Sequence, residues 1–289
     1  MSKKAKGIVA SVKGKLLNIA RKEGKRHQLL LTRYFQERFL YRLSISDYAH
    51  QFCLKGGTLL YAFSGEKSRP TKDIDLLGLQ VSNSLQEIAE IVRHICSIDF
   101  EGDGVSFNLD SIEVSEIVKE DKYKGVRVKI MTYLKNTRQA LQIDFGFGDK
   151  VVPAPIEMNY PTILDLPPPV IKAYSKESVI AEKFEAMIDL AESNSRMKDF
   201  YDVYYLLKFH ALDLKVLEEA IHQTFTQRKT AYIDNHPIFK PEFVTNEFRQ
   251  LQWKAFLRKS FLDIDLGFQF ILAEIKTMLL PIYENMREY

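Results

Sequence analysis

The chain has 289 residues, 46% of them hydrophobic and 27% charged, with 41 Lys and Arg against 38 Asp and Glu for a net charge of +3. This is the composition of a globular protein long enough for one large or two small cores, and it excludes collagen-like, low-complexity and disordered classes. No apolar run approaches the roughly 20 residues that a membrane-spanning helix needs, so no membrane association is expected.

The opening "MSKKAKGIVA" carries lysines but no apolar segment long enough for a secretion signal, which points to a cytoplasmic protein. Cys53 and Cys96 have no partners at metal-ligand spacing and lie in apolar surroundings, as expected for buried free thiols in a reducing compartment. Apolar residues at Ile8, Val9, Val12, Leu16, Ile19 and Ala20 predict a helix over Ile8–Lys22, ended by Gly24. The same segment is basic, with Lys3, Lys4, Lys6, Lys13, Lys15, Arg21, Lys22, Lys25 and Arg26 against Glu23. Such a patch can hold phosphates, although a solvated face of an amphipathic helix has the same look. Leu30, Leu31, Tyr34, Phe35, Phe39 and Leu43 predict a second helix over His27–Leu43.

Phe52–Leu54 leads into Gly56-Gly57-Thr58, from which "TLLYAF" continues with helical character. "DIDLLGLQV" (Asp73–Val81) reads as a strand and Asn83–Ile98 as a helix. Ser111–Ile117, Tyr123–Tyr133 and Arg138–Phe147 alternate and are rich in β-branched and aromatic residues, as strands joined by short turns. Val151–Val170 holds Pro153, Pro155, Pro161 and Pro167–Pro169 and reads as an extended connector. Helices are predicted at Lys176–Ser193, Asp199–His210, Leu214–Thr226, Pro241–Lys259 and Asp265–Asn285. The predicted class is α+β: N-terminal helices and a small mixed-sheet core over 1–150, a connector over 151–170, and a helical domain over 171–289.

Residues i and i+2 of a strand share a face, so Asp73 and Asp75 point the same way while Ile74 and Leu76 point into the core. Two carboxylates that close repel unless a cation lies between them. Magnesium takes oxygen ligands, commonly one or two carboxylates plus substrate phosphates. Asp144 is a third acid, inside the otherwise apolar "ALQIDFGFGD". If its strand neighbours Asp73–Val81, the three carboxylates converge and can hold metal ions for phosphoryl or nucleotidyl displacement. Glycines let a backbone approach a ligand closely, and N–H groups at a helix start attract phosphate, with the Thr58 hydroxyl as a further donor. A plain turn with a threonine cap is the alternative. Lys183 lies in the apolar stripe of its helix, among Val179, Ile180, Phe184, Met187 and Ile188, and must find an anion or extend to solvent. Asp199 and Asp202 share the face of a helix start, where capping alone could account for them. Arg69, just ahead of the Asp-x-Asp pair, can pair with phosphate or with an acid. The six histidines form no metal or triad arrangement, and no Ser or Cys nucleophile has an evident partner, so hydrolase chemistry is disfavoured.

"KGGT…RPTKDIDLLG" resembles the first motif of the AbiEii/AbiGii nucleotidyltransferase toxins of the DNA polymerase β-like superfamily. "QIDFGFGD" resembles the strand bearing their third acid, and "ESVIAEKFEAM" and "NSRMKDFYDVYYLL" resemble their later motifs. Gly57-Thr58 stands where the wider superfamily has Gly-Ser, and the spacer to Asp73 is long. The resemblance implies a magnesium- or manganese-dependent nucleotidyltransferase core. Asp73, Asp75 and Asp144 would be metal ligands, and Gly56, Gly57, Thr58, Arg69 and Lys183 would bind the NTP, with Lys183 on its triphosphate. Asp199, near Arg196 and Lys198, would orient Lys183 or a substrate hydroxyl. It further implies a toxin that transfers nucleotides to RNA, with the 3′ end of tRNA first, and is neutralised by a cognate antitoxin. The N-terminal basic helix with Arg127, Lys129 and Arg138 would contact the RNA backbone. Nucleotidylation of a protein hydroxyl, or a non-catalytic binding module on the same scaffold, are the rival readings.

Overall fold

A computed structural model describes residues 3–119, 123–260, 262 and 266–288. The side chains of Lys3, Lys4 and Lys6 lie outside the described residues, as does Asp265. The chain divides into two compact units. One comprises Met1–Gly65, Pro70–Gly148 and Ile156–Ala173; the other comprises Glu66–Arg69, Asp149–Pro155 and Tyr174–Tyr289.

The first unit begins with α1 (Lys3–Lys22) and α2 (His27–Ser44). Val9, Val12 and Leu16 fall on one face of α1 and pack with Leu31, Tyr34 and Phe35 of α2 and with Val105, Leu134 and Leu164. Gly24 reverses the chain with φ +64°, and the Lys25 N–H closes the helix end on the Ala20 carbonyl. Then come β1 (Phe52–Lys55), α3 (Gly56–Ser64), β2 (Asp73–Gly78), α4 (Leu85–Ser97), β3 (Val105–Lys119), β4 (Tyr123–Leu134), β5 (Thr137–Phe147), β6 (Ile156–Asn159) and β7 (Val170–Ala173). In α4, Ser84 caps the first turn through the Glu87 N–H, and Ile88, Ile91, Val92 and Ile95 bury the apolar face.

The seven strands form one mixed sheet in the order β3-β4-β5-β2-β1-β7-β6. β2 runs parallel to β5 and β1 parallel to β7; the other pairs are antiparallel. The fold is the expected α+β class with a mixed sheet. The proline-rich stretch does more than connect. It supplies β6 and the start of β7, and α2 holds the segment between them: Glu37 accepts from the Ile163 N–H (2.7 Å), and Arg38 donates to the Pro167 carbonyl (3.1 Å). Cys53 and Cys96 are buried free thiols.

The second unit carries α5 (Lys176–Leu190), α6 (Met197–Phe209), α7 (Leu214–Arg228), α8 (Pro241–Thr245), α9 (Glu247–Ser260) and α10 (Phe268–Asn285). Ser175 caps α5 and Asp213 caps α7 through their side chains. Phe184, Phe225 and Tyr283 pack ring against ring, as do Phe200, Trp253 and Phe268 with their neighbours. The single helix expected over Pro241–Lys259 is two helices. Asn246 leaves helical geometry (ψ 119°), and its side chain accepts the Arg249 N–H to start α9 afresh. Among the described residues no helix is long and apolar enough to cross a membrane.

Candidate active site

In β2, burying Ile74 and Leu76 turns Asp73 and Asp75 to the opposite face. The parallel pairing sets Asp75 beside Asp144 of β5. One carboxylate oxygen from each of Asp73, Asp75 and Asp144 lies within 4.8 Å of the others. The Asp73 carbonyl accepts from the Thr58 hydroxyl (2.7 Å) and the Gln36 amide (3.1 Å), and the Thr71 hydroxyl donates to its carboxylate (2.5 Å). The Thr58 hydroxyl, expected as a phosphate donor, is therefore engaged with the strand, and the residue is 1% exposed.

Gly56 abuts Asp75, and Gly57 abuts Thr71, whose hydroxyl donates to Asp73. Gly56 has φ +69°, and a β-carbon there would lie 2.0 Å from Asp75 Oδ2. A β-carbon on Gly57 would lie 2.7 Å from the Thr71 hydroxyl oxygen. Gly56→Ala is expected to displace the Asp75 carboxylate and to strain the backbone. Nucleotide incorporation should fall by about 10–100-fold, the cost of shifting a reacting group by around an ångström. Labelled-nucleotide transfer by the variant checks this.

Arg127, expected among RNA-contacting cations, is instead a partner of the third acid. Its guanidinium grips Asp144 bidentately (Nε–Oδ1 2.8 Å, Nη2–Oδ2 2.7 Å), and the Gln142 amide reaches Oδ2 at 3.3 Å. The hydrogen bonds to Asp144 raise the guanidinium's pKa; burial opposes them, and the charges of Asp144, Asp73 and Asp75 add to the rise. The sequence held the signal for this pairing. Leu134 pairs with Thr137 across a two-residue turn, and Arg127 and Asp144 each lie seven residues beyond that pair. The all-oxygen donor set suits a hard divalent cation, and the space that a side chain at position 56 would fill is taken by the Asp75 carboxylate.

In the helical unit, Lys183 of α5 finds anions. Its ammonium lies 2.6 Å from Asp199 Oδ1 and 2.9 Å from Asp202 Oδ2, and the side chain is 11% exposed. Arg196 pairs with Asp199 (2.6 Å) and Arg69 pairs bidentately with Asp202 (Nε–Oδ1 3.0 Å, Nη2–Oδ2 2.9 Å). Arg69 thus takes an acid of α6, and Asp202, which capping alone could explain, is a full member of the network. Burial alone would lower the Lys183 pKa, but Asp199 and Asp202 outweigh it and hold the amine protonated.

A mixed sheet with an Asp-x-Asp strand, a third acid on its parallel neighbour and a glycine turn opening a helix beside them is the layout of a nucleotidyltransferase core. Residues 38–274 match the profile of the family described as nucleotidyl transferase AbiEii toxin, type IV toxin–antitoxin system, and the chain belongs to this family. It is therefore a nucleotidyl-transfer enzyme of the toxin class, and the family implies an antitoxin partner. The crystal structure of JHP933 from Helicobacter pylori shares the fold, with 15% identity, a TM-score of 0.51, and coverage of 91% of this chain and 95% of that one. A second H. pylori structure, described as a candidate nucleotidyltransferase, aligns at 15% identity and TM-score 0.49 over 91% of this chain and 98% of that one. No curated protein matches the sequence.

Proposed function

We propose that the enzyme is magnesium-dependent, with manganese as a substitute, and transfers a nucleotide from an NTP to the 3′ hydroxyl of RNA. The acceptor is the tRNA 3′ end, whose modification blocks translation in the cytoplasm. The observation that carries this reading is the convergence of Asp73, Asp75 and Asp144 beside the Gly56–Gly57 turn. These three aspartates would hold the divalent ion, which supplies charge neutralisation at the phosphates when bound. The acceptor hydroxyl attacks the α-phosphorus, the bond from it to the α,β-bridging oxygen breaks, pyrophosphate leaves, and the hydroxyl proton passes to water. Gly56 and Gly57 let the backbone at the start of α3 approach the phosphates, while Thr58 fixes β2. Lys183, assigned to the triphosphate by the family likeness, stays cationic because of Asp199 and Asp202. The exposed basic residues Lys15, Arg21, Lys22 and Arg26 on and after α1 suit an RNA backbone, and α1 lies before the matched region.

The test is incubation of the purified protein with each labelled NTP, magnesium or manganese and total RNA, beside Asp73→Ala. Label in tRNA that vanishes in the variant is the expected result. Label on a polypeptide that survives ribonuclease would move the acceptor to a protein hydroxyl. No transfer to RNA or protein from any NTP would end the proposal.

A further inference from the structure

A row of charge crosses the sheet at the level of the acids. Arg127 of β4 pairs in register with Asp144 of β5, Asp144 with Asp75 of β2, and Asp75 with Lys55 of β1. The order is cation, anion, anion, cation. Lys55 reaches along the acid face: its ammonium lies 3.8 Å from where a β-carbon on Gly146 would sit, two residues beyond Asp144. Arg127 occupies both Asp144 oxygens, and its side chain is 37% exposed against 14% for Asp144.

Resting on the metal reading above, we infer that Arg127, with Lys55 at the far end of the row, is the resident counter-ion of the acid cluster and holds down the affinity for a divalent ion until nucleotide arrives. A divalent ion arriving alone must share Asp144 with the guanidinium and meets a fixed positive charge beside its ligands. An ion that arrives with a triphosphate brings phosphate oxygens of the geometry that a guanidinium grips bidentately. The exposed side of Arg127 leaves it room to change partner. The row thus orders the events: the protein's own cations offset two of the three carboxylate charges first, and metal takes their place only together with substrate.

The test is binding of Mn2+ alone to the full chain, read by the loss of the free-ion electron paramagnetic resonance signal. Arg127→Gln is expected to bind Mn2+ about tenfold more tightly than the unaltered protein, as follows from removing a unit charge within a few ångströms of a dication at a partly solvated site. Arg127→Lys, which keeps the charge, is expected within about threefold of the unaltered protein. Mn2+ should also raise the melting temperature of Arg127→Gln more than that of the unaltered protein, because the acids of the variant lack their counter-ion. Equal or weaker Mn2+ binding by Arg127→Gln, or equal tightening in Arg127→Lys, would overturn the counter-ion account while the metal reading stands. No Mn2+ binding by any of the three proteins would overturn both.

Discussion

Asp75→Asn is expected to lower nucleotide transfer by at least about 10³-fold while the protein stays folded. The carboxylate lies at the centre of the row, between Asp144 and Lys55 in register and against Gly56. A bound metal ion is worth several kcal/mol of charge stabilisation in the transition state, and each 1.36 kcal/mol is tenfold in rate. Asn keeps the shape and one oxygen but removes the charge that attracts the dication. Stability should change by no more than about 1 kcal/mol, because the loss of attraction to Lys55 is offset by relief of repulsion from Asp73 and Asp144. Labelled-nucleotide incorporation beside thermal melting separates the two effects. Retention of a tenth or more of the activity would remove Asp75 from the metal site.

The second large effect is on stability. Asp199→Ala is expected to destabilise the helical unit by about 2–3 kcal/mol, because it leaves the largely buried Lys183 ammonium with Asp202 alone and Arg196 without its carboxylate. Lys183→Met should cost less. It removes the cation, but Asp199 keeps Arg196 and Asp202 keeps Arg69. The order of the two variants in urea unfolding tests the network, since a purely local capping role for Asp199 would cost only about 1 kcal/mol. The proposed triphosphate role makes Lys183→Met folded but inactive. The network also sets a pH dependence. Burial would raise the Asp199 pKa, but Lys183 and then Arg196 overcome it and bring it down to about 2 from 3.8. A carboxyl depressed on folding gives stability that is complete above its unfolded value and lost as pH falls through the folded one. The unit should therefore lose about 2 kcal/mol between roughly pH 4 and pH 2, and Asp199→Ala should lack this step.

Local pattern carried much of the fold. The helical spacing of Val9, Val12 and Leu16 or of Ile88, Val92 and Ile95 is imposed by one apolar face meeting a core, and the sequence shows it directly. The Asp73–Asp75 face was legible for the same reason, through the buried Ile74 and Leu76. What joins Asp144 to them is the parallel pairing of β2 with β5, a long-range contact that leaves no local trace. β1, β6 and β7 are four residues each, too short for alternation to stand out, and the prolines around β6 and β7 spoke for a connector. The partners of Arg69 and Asp202 depend on tertiary placement. Arg127 is different: the hairpin turn fixes its register, yet a cation on an alternating strand also has the look of a contact for an RNA backbone.

The carbonyl of Asp73 takes two donors from distant places, the Thr58 hydroxyl and the Gln36 amide. A carbonyl oxygen has two lone pairs, and both are filled here. The anchorage of the first acid is thus redundant: a defect in the turn leaves the helix α2 donor in place, and a defect in α2 leaves the turn. A lineage could drift at either position singly, whereas loss of both would set the strand end adrift.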